Sequence, residues 1–164
     1  MADEYFYIED QAIDIDEACA RTTISHAQWY RLEEAGLLPS RRQLGRRKVG
    51  IIQSDLDTWL LSRPRTIGNL FIAVDPAPTG VRVLTEKQVI ASVAMSRSLI
   101  RRMIEADEFP APIKLSSRKI GFLKHEVFLW LKNRPRLRQP PPTLKPPPPP
   151  PNGRGSPNER SLES

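Results

Sequence analysis

The stretch LGRRKVGII, Leu44 to Ile52, returns 71 residues later as LSSRKIGFL, Leu115 to Leu123. The echo extends well beyond this stretch. Shifting the chain by 71 aligns residues 15–65 with 86–136 without a gap, and 15 of the 51 aligned positions are identical. Among them are Pro39 with Pro110, Gly50 with Gly121, Trp59 with Trp130, and Arg63-Pro64-Arg65 with Arg134-Pro135-Arg136. Two unrelated helical segments share apolar spacing, but they do not hold Pro, Gly and Trp in one ungapped register. The chain therefore carries two copies of one small domain. The first is assigned to residues 1–65, a connector to 66–80, the second copy to 81–136 and a tail to 137–164.

The second copy gives the clearer reading of local structure. Thr85-Glu86-Lys87-Gln88 has the form of a capping box, and Val89, Ile90 and Val93 continue an apolar face. Ser96 is placed to cap a second helix. That helix carries Ile100, Met103 and Ile104 on one side and Arg97, Ser98, Arg101 and Arg102 on the others. Pro110 and Pro112 end it. IKLSSRKIGFL alternates around a polar turn and reads as a hairpin, and His125 to Asn133 reads as a third helix anchored by Val127, Trp130 and Leu131. The first copy follows suit. Asp14 and Glu17 form a box-like start, Ser25-His26-Ala27-Gln28 reads as a second capping box, Trp29 and Leu32 take core positions, and Ser54 is expected to cap the last helix. The order is helix, turn, helix, hairpin, helix, in each of two copies. Trp59 and Trp130 read as core aromatics, and Gly50 and Gly121 as points of close approach or strand bending. The connector segment NLFIAV, residues 69–74, is apolar enough to pack as a strand. Fully extended, the 15 connector residues span at most about 50 Å, enough for one turn of duplex at about 34 Å.

Charge narrows the partners. The chain has 25 Lys and Arg against 19 Asp and Glu, net +6, with a pI near 9.8. Residues 81–136 carry +7 of this, residues 1–65 carry −2, the connector −1 and the tail +2. A basic excess suits a polyanion. Cys19 is the only cysteine, so neither an internal disulfide nor a cysteine zinc cluster is available. The two histidines fall in different copies, and the sequence shows neither a phosphate-cradling glycine loop nor metal-ligand spacing. No enzyme activity, cofactor or metal is expected. No apolar run approaches the roughly 20 residues of a membrane helix, and the acidic start Met-Ala-Asp-Glu does not read as a signal peptide. A cytoplasmic, nucleoid-associated protein is expected. The tail holds ten of the 17 prolines, including six in a row. Such a composition buries no core and is expected to be disordered with polyproline II character.

The second copy, with its apolar-Ser-Arg-Ser helix start, Glu-Phe-Pro, Pro-Ile-Lys-Leu, Arg-Lys-Ile-Gly-Phe and acidic residue before an apolar-Trp-Leu helix, resembles the AlpA family of phage and prophage regulators. The first copy is also similar to the DNA-binding part of MerR-type regulators, in YRLEEAGLLP and its Arg-rich hairpin, and to phage excisionases. The resemblance implies a mainly α fold with small β-hairpins, built as two tandem winged helix-turn-helix domains. It also implies binding of double-stranded DNA. Two departures stand out. AlpA-like proteins are usually a single unit, and this chain lacks the metal-binding cysteines and long dimerisation helix of MerR proteins, so metal sensing is not implied.

The residues make the same case independently. A helix entering a major groove needs side chains that reach base edges, and Arg97, Ser98, Arg101 and Arg102 supply them. Lys114, Arg118 and Lys119 on the hairpin suit flanking phosphates. In the first copy the corresponding set is His26, Tyr30 and Arg31 on the helix, with Arg46, Arg47 and Lys48 on the hairpin beside Arg41 and Arg42. The expected function is sequence-specific duplex binding in transcription control of a phage or mobile element, with homo-oligomers forming on DNA. An excisionase-type architectural factor and a phage DNA-packaging recognition subunit use the same fold. An adaptor whose proline run docks an aromatic-lined groove is the rival from another class. The fragment 1–138 separates that rival from the rest. On the DNA-binding reading it keeps the full-length chain's affinity for duplex in a filter-binding assay, and on the adaptor reading it has none to keep.

Overall fold

Short side-chain oxygens set where the helices begin. The structure is a computed structural model that describes residues 10–137. The Pro-rich tail read from composition lies, beyond Leu137, outside the described residues, as do residues 1–9. Asp14 accepts the Glu17 N–H at 2.8 Å and starts α1 (Ile15–Thr22). Ser25 accepts the Gln28 N–H at 3.2 Å and starts α2 (His26–Glu34). In the second copy Thr85 caps α4 (Glu86–Val93), and the box is complete because Gln88 Oε1 accepts the Thr85 N–H. Ser96 caps α5 (Arg97–Glu105). Each oxygen satisfies an N–H that has no partner within its helix. Thr23 and Ala94, both in left-handed backbone, turn the chain between the helices of each pair.

Each hairpin follows its helix pair. β2 (Arg42–Gln43) and β3 (Val49–Ile52) form one, β5 (Ile113–Lys114) and β6 (Ile120–Leu123) the other. A third strand joins each, β1 (Ala12–Ile13) on β3 and β4 (Val83–Leu84) on β6, giving orders β1-β3-β2 and β4-β6-β5. These two-residue strands are not apparent in the sequence, because two residues are too few to show alternation. α3 (Gln53–Leu61) and α6 (Lys124–Lys132) leave directly from β3 and β6. Ser54 does not cap α3. The flanking residue is Ile52, without a side-chain cap, and the Ser54 hydroxyl donates to Asp10 instead. Trp59 and Trp130 fix these last helices to their copies, their Nε1 groups donating to the carbonyls of Leu37 at 3.0 Å and Glu108 at 2.8 Å. Gly121 is required by close approach, since a Cβ there would overlap Val83 Cγ1 of β4.

The copies share a core. Val81, Val83, Ile113, Leu115 and Leu123 of the second copy are buried in the same cluster as Ile13, Trp29, Leu38, Ile51, Leu56 and Leu60 of the first. A second cluster, around Ile100, Phe109, Phe122 and Trp130, belongs to the second copy. Residues 10–134 form one compact unit. Polar contacts tie the copies further. Arg65 sends Nη1 to Glu126 Oε2 at 2.6 Å and Nη2 to Glu126 Oε1 at 2.5 Å, and also donates to the Ala111 carbonyl at 2.8 Å. The Asp57 carboxylate accepts the N–H groups of Gly80 and Val81 at 3.0 and 2.8 Å. Glu17 accepts from Arg21 at 2.9 Å and from Arg82 at 2.6 Å, and both hold its carboxyl below the usual range, the Arg21 bond foremost.

The connector is consequently not a free tether. Thr66 N–H donates to the Pro112 carbonyl and Ala111 N–H to the Leu70 carbonyl, at 3.0 and 2.8 Å. A Cβ on Gly68 would overlap the Ile104 carbonyl oxygen, so only glycine lets the connector lie this close to α5. NLFIAV forms no strand. Its segment lies against the second copy, with Ile72 packed on the second cluster.

Glu126 is 3% exposed, so Arg65→Ala leaves a buried unpaired carboxylate and should cost about 3–5 kcal/mol in urea unfolding. Arg65→Met with Glu126→Leu should recover most of that loss. His125 Nδ1 is buried without a partner, and burial lowers its pKa, followed by a raising effect of Glu126 and a lowering one of Arg65. The unfolded chain then binds the proton more readily than the folded one. The stability that neutral His125 contributes is complete above pH of about 6.5 and declines as pH falls below it. His125→Leu should flatten this part of the pH profile of the urea midpoint.

Candidate nucleic-acid interface

α5 is amphipathic by its register. At about 100° per residue, Ile100 and Ile104 point inward with Leu99 and Met103 half-covered, while Arg97, Ser98, Arg101, Arg102 and Glu105 remain exposed. Arg97 and Arg101 are neighbours one turn apart, and both direct Nε at Glu86 Oε1, each at 3.4 Å. The contact is made through Nε, and both arginine side chains stay more than half exposed, at 64% and 51%. Ser96, Arg97, Ser98 and Arg101 line a shallow concavity at the helix start. Arg102 makes no ion pair among the described residues. Glu86 is the residue that sequence reasoning missed. It is the first residue of α4, and only the packing of α4 against α5 brings it between the two arginines.

The corresponding helix of the first copy is differently dressed. His26 takes the place of Arg97, and its Nε2 meets Asp16 Oδ1 at 2.6 Å with both side chains exposed. Tyr30 takes the place of Arg101 and is 47% exposed, with the Arg41 guanidinium 5.3 Å from its ring centre. Arg41 is itself held by both Glu33 oxygens at 2.9 and 3.0 Å, and Arg42 by Asp55 at 3.1 Å. Arg31, the counterpart of Arg102, is exposed.

The hairpin turns have a common scaffold. Leu44 and Gly45 donate to the Lys48 carbonyl, as Leu115 and Ser116 donate to the Lys119 carbonyl. Arg46, Arg47 and Lys48 are exposed at the first tip. At the second, Lys114 and Arg118 are exposed and Lys119 is half-buried. None of these six makes an ion pair among the described residues. The second hairpin does not project freely. Ile113 and Leu115 are buried in the shared core, and Gln28 Nε2 donates to Ser116 Oγ at 3.1 Å. The turn carrying Arg118 thus lies beside the first turn of α2, and the two candidate elements from different copies adjoin.

Among the described residues no group of three or more His, Cys, Asp and Glu is close enough to hold a metal ion, and no helix is long and apolar enough to cross a membrane. Cys19 is buried, and burial, with Asp16, raises its thiol pKa, which disfavours the thiolate.

Fold and surface together define a tandem helix-turn-helix protein with β-hairpins and one strongly cationic outer helix. The family described as Prophage CP4-57 regulatory protein (AlpA) matches the chain twice, over residues 11–64 and again over 82–135. These matches cover about two thirds of the chain, which therefore belongs to that family and carries its domain in duplicate. No curated protein and no solved structure matches it.

Proposed function

We propose that the chain is a sequence-specific duplex-DNA-binding regulator of a phage or mobile element, working as two fused winged helix-turn-helix units. One observation carries the reading: the exposed face of α5, where Arg97, Ser98, Arg101 and Arg102 lie together and Glu86 meets Arg97 and Arg101 through Nε at 3.4 Å. A guanidinium held in this way loses less freedom when it forms the bidentate contact to guanine O6 and N7, a pair worth about 1–3 kcal/mol of discrimination. Arg102 and Ser98 serve neighbouring bases or the adjoining phosphate. Lys114, Arg118 and Lys119 hold the flanking backbone, as Arg46, Arg47 and Lys48 do at the other hairpin. His26, Tyr30 and Arg31 form the weaker reading surface of the first copy. Because the copies share a core, the two reading surfaces act as one body on a site of fixed spacing.

Selection from random duplexes supplies the target, and substitution then separates the roles. Arg101→Ala with Arg102→Ala should weaken binding to the selected site by about 1–3 kcal/mol for each base no longer read, and relax preference at those bases. Lys119→Ala should weaken all duplexes alike and reduce the slope of log K against log salt by about one. Undiminished binding by both variants contradicts the assignment.

A further inference from the structure

The internal repeat provides one interface twice, and among the described residues only one of the two is filled. After α3, residues 64–66 run along the outer edge of β5. Lys114 N–H donates to the Pro64 carbonyl at 2.9 Å, Arg65 bridges to Ile113, and the Arg65 guanidinium enters the groove floored by Glu126. Shifted by 71, the same segment is Pro135-Arg136-Leu137, which follows α6 as Pro64-Arg65-Thr66 follows α3. Shifted back by 71, the acceptor becomes Ser40 for Ala111, Arg42 for Ile113, Asp55 for Glu126 and Trp59 for Trp130. At that place the first copy has an open groove, lined by Pro39, Ser40, Arg42, Asp55, Thr58 and Trp59. Among the described residues no strand pairs with the outer edge of β2 beside it. Pairing of Arg42 with Gly50, and the bond from Leu44 N–H to Lys48, turn the Gln43 N–H away from β3, as the Lys114 N–H is turned toward Pro64.

We propose that this groove receives residues 134–137 of a second copy of the chain. Molecules then associate head to tail, with the β2 edge and Asp55 of one taking Pro135 and Arg136 of the next. Continuity with the internal interface and charge complementarity name the occupant. The Asp55 side chain is 37% exposed where Glu126 is 3%, and its partner Arg42 is itself 62% exposed. A pair so exposed exchanges for a competing arginine at small cost. Exposed apolar side chains mark both ends of the unit. Leu44 is 46% exposed where its counterpart Leu115 is 2%, and Phe128 is 46% exposed where its counterpart Asp57, at 6%, holds the second copy. Asp10, Ala12 and Arg42 replace Val81, Val83 and Ile113 on the accepting face. That face is more polar than the internal one, as suits a reversible contact. A head-to-tail contact is heterologous, so it builds rings or open filaments according to its rotation.

Sedimentation of the full chain without DNA tests this independently of the DNA-binding reading. The wild-type mass should rise with protein concentration. Asp55→Lys and Arg136→Glu should each weaken association about tenfold, the size of one charge-assisted pair. Neither chain should associate well with itself, but an equimolar mixture should recover association, because each groove then meets a segment of opposite charge. Circular dichroism checks that both variants remain folded. A monomer at every concentration, as for a face that merely ends the fold, overturns the proposal. So does association that neither reversal weakens, or a mixture that fails to recover it.

Discussion

The Arg65 guanidinium seated on Glu126 is the contact on which the arrangement of the two copies turns. Arg65 reaches three acceptor atoms, both Glu126 oxygens and the Ala111 carbonyl, so most of its donors are directed. A buried carboxylate is tolerable only with such compensation. The preceding residue suits its place. Pro64 lies on a sheet edge and offers only a carbonyl, which is all that the Lys114 N–H requires. With Arg65 fixed, the connector has one register along the second copy, the outer edge of β5 is covered, and Ile113 and Leu115 are held in the shared core. The second hairpin owes its position beside α2 to that burial. A tandem protein joined by a loose linker would place its two surfaces by linker length, whereas here side-chain packing places them.

What the sequence made legible was local. Helix starts depend on an oxygen three residues before an N–H, and Asp14, Ser25, Thr85 and Ser96 all cap as their spacing suggested. The repeat was legible because identities at Pro, Gly and Trp resist coincidence. Where a residue had two available partners, local reasoning picked the nearer one and failed. Glu17 turns to Arg21 and Arg82 instead of back to its own helix start, Gln28 turns to Ser116, and Ser54 turns to Asp10. In the candidate site the arginines of α5 were legible from their period, but Glu86 was not, because its role exists only once α4 packs on α5. The shared core was equally hidden. Val81, Val83 and Ile113 look like ordinary apolar residues of the second copy until the first copy is laid against them.

Divergence between the copies follows their positions in the chain. The second copy has one face against the first, and the residues there are Val81, Val83, Ile113 and Leu115. The first copy presents the same face to solvent, and Asp10, Ala12 and Arg42 stand at the first three places. End units of repeat arrays show the same trade of apolar for polar side chains. Their outer helices diverged in the opposite sense. α5 has three arginines, whereas α2 has His26, Tyr30 and one arginine, so the copies expose different side chains at the same place in the fold.

Net charge taken by region misstates this difference. Residues 1–65 sum to −2, yet nearly every acid among the described ones is already engaged. Asp10 bonds Ser54, which lowers its pKa, Asp14 caps α1, and Asp16 meets His26. Glu17 holds Arg21 and Arg82, Glu33 holds Arg41, Asp55 holds Arg42, and Asp57 holds two backbone N–H groups at the junction. Glu34 is left without such a contact, while Arg31, Arg46, Arg47 and Lys48 are exposed and form no ion pair among the described residues. An approaching polyanion responds to charges within about 8–10 Å and is screened from the rest. At the first hairpin tip it therefore meets three exposed cations, Arg46, Arg47 and Lys48, while Asp55 beside that hairpin is paired with Arg42. The two copies thus differ in how their outer helices are dressed, α5 alone being rich in arginine, but both hairpins remain cationic.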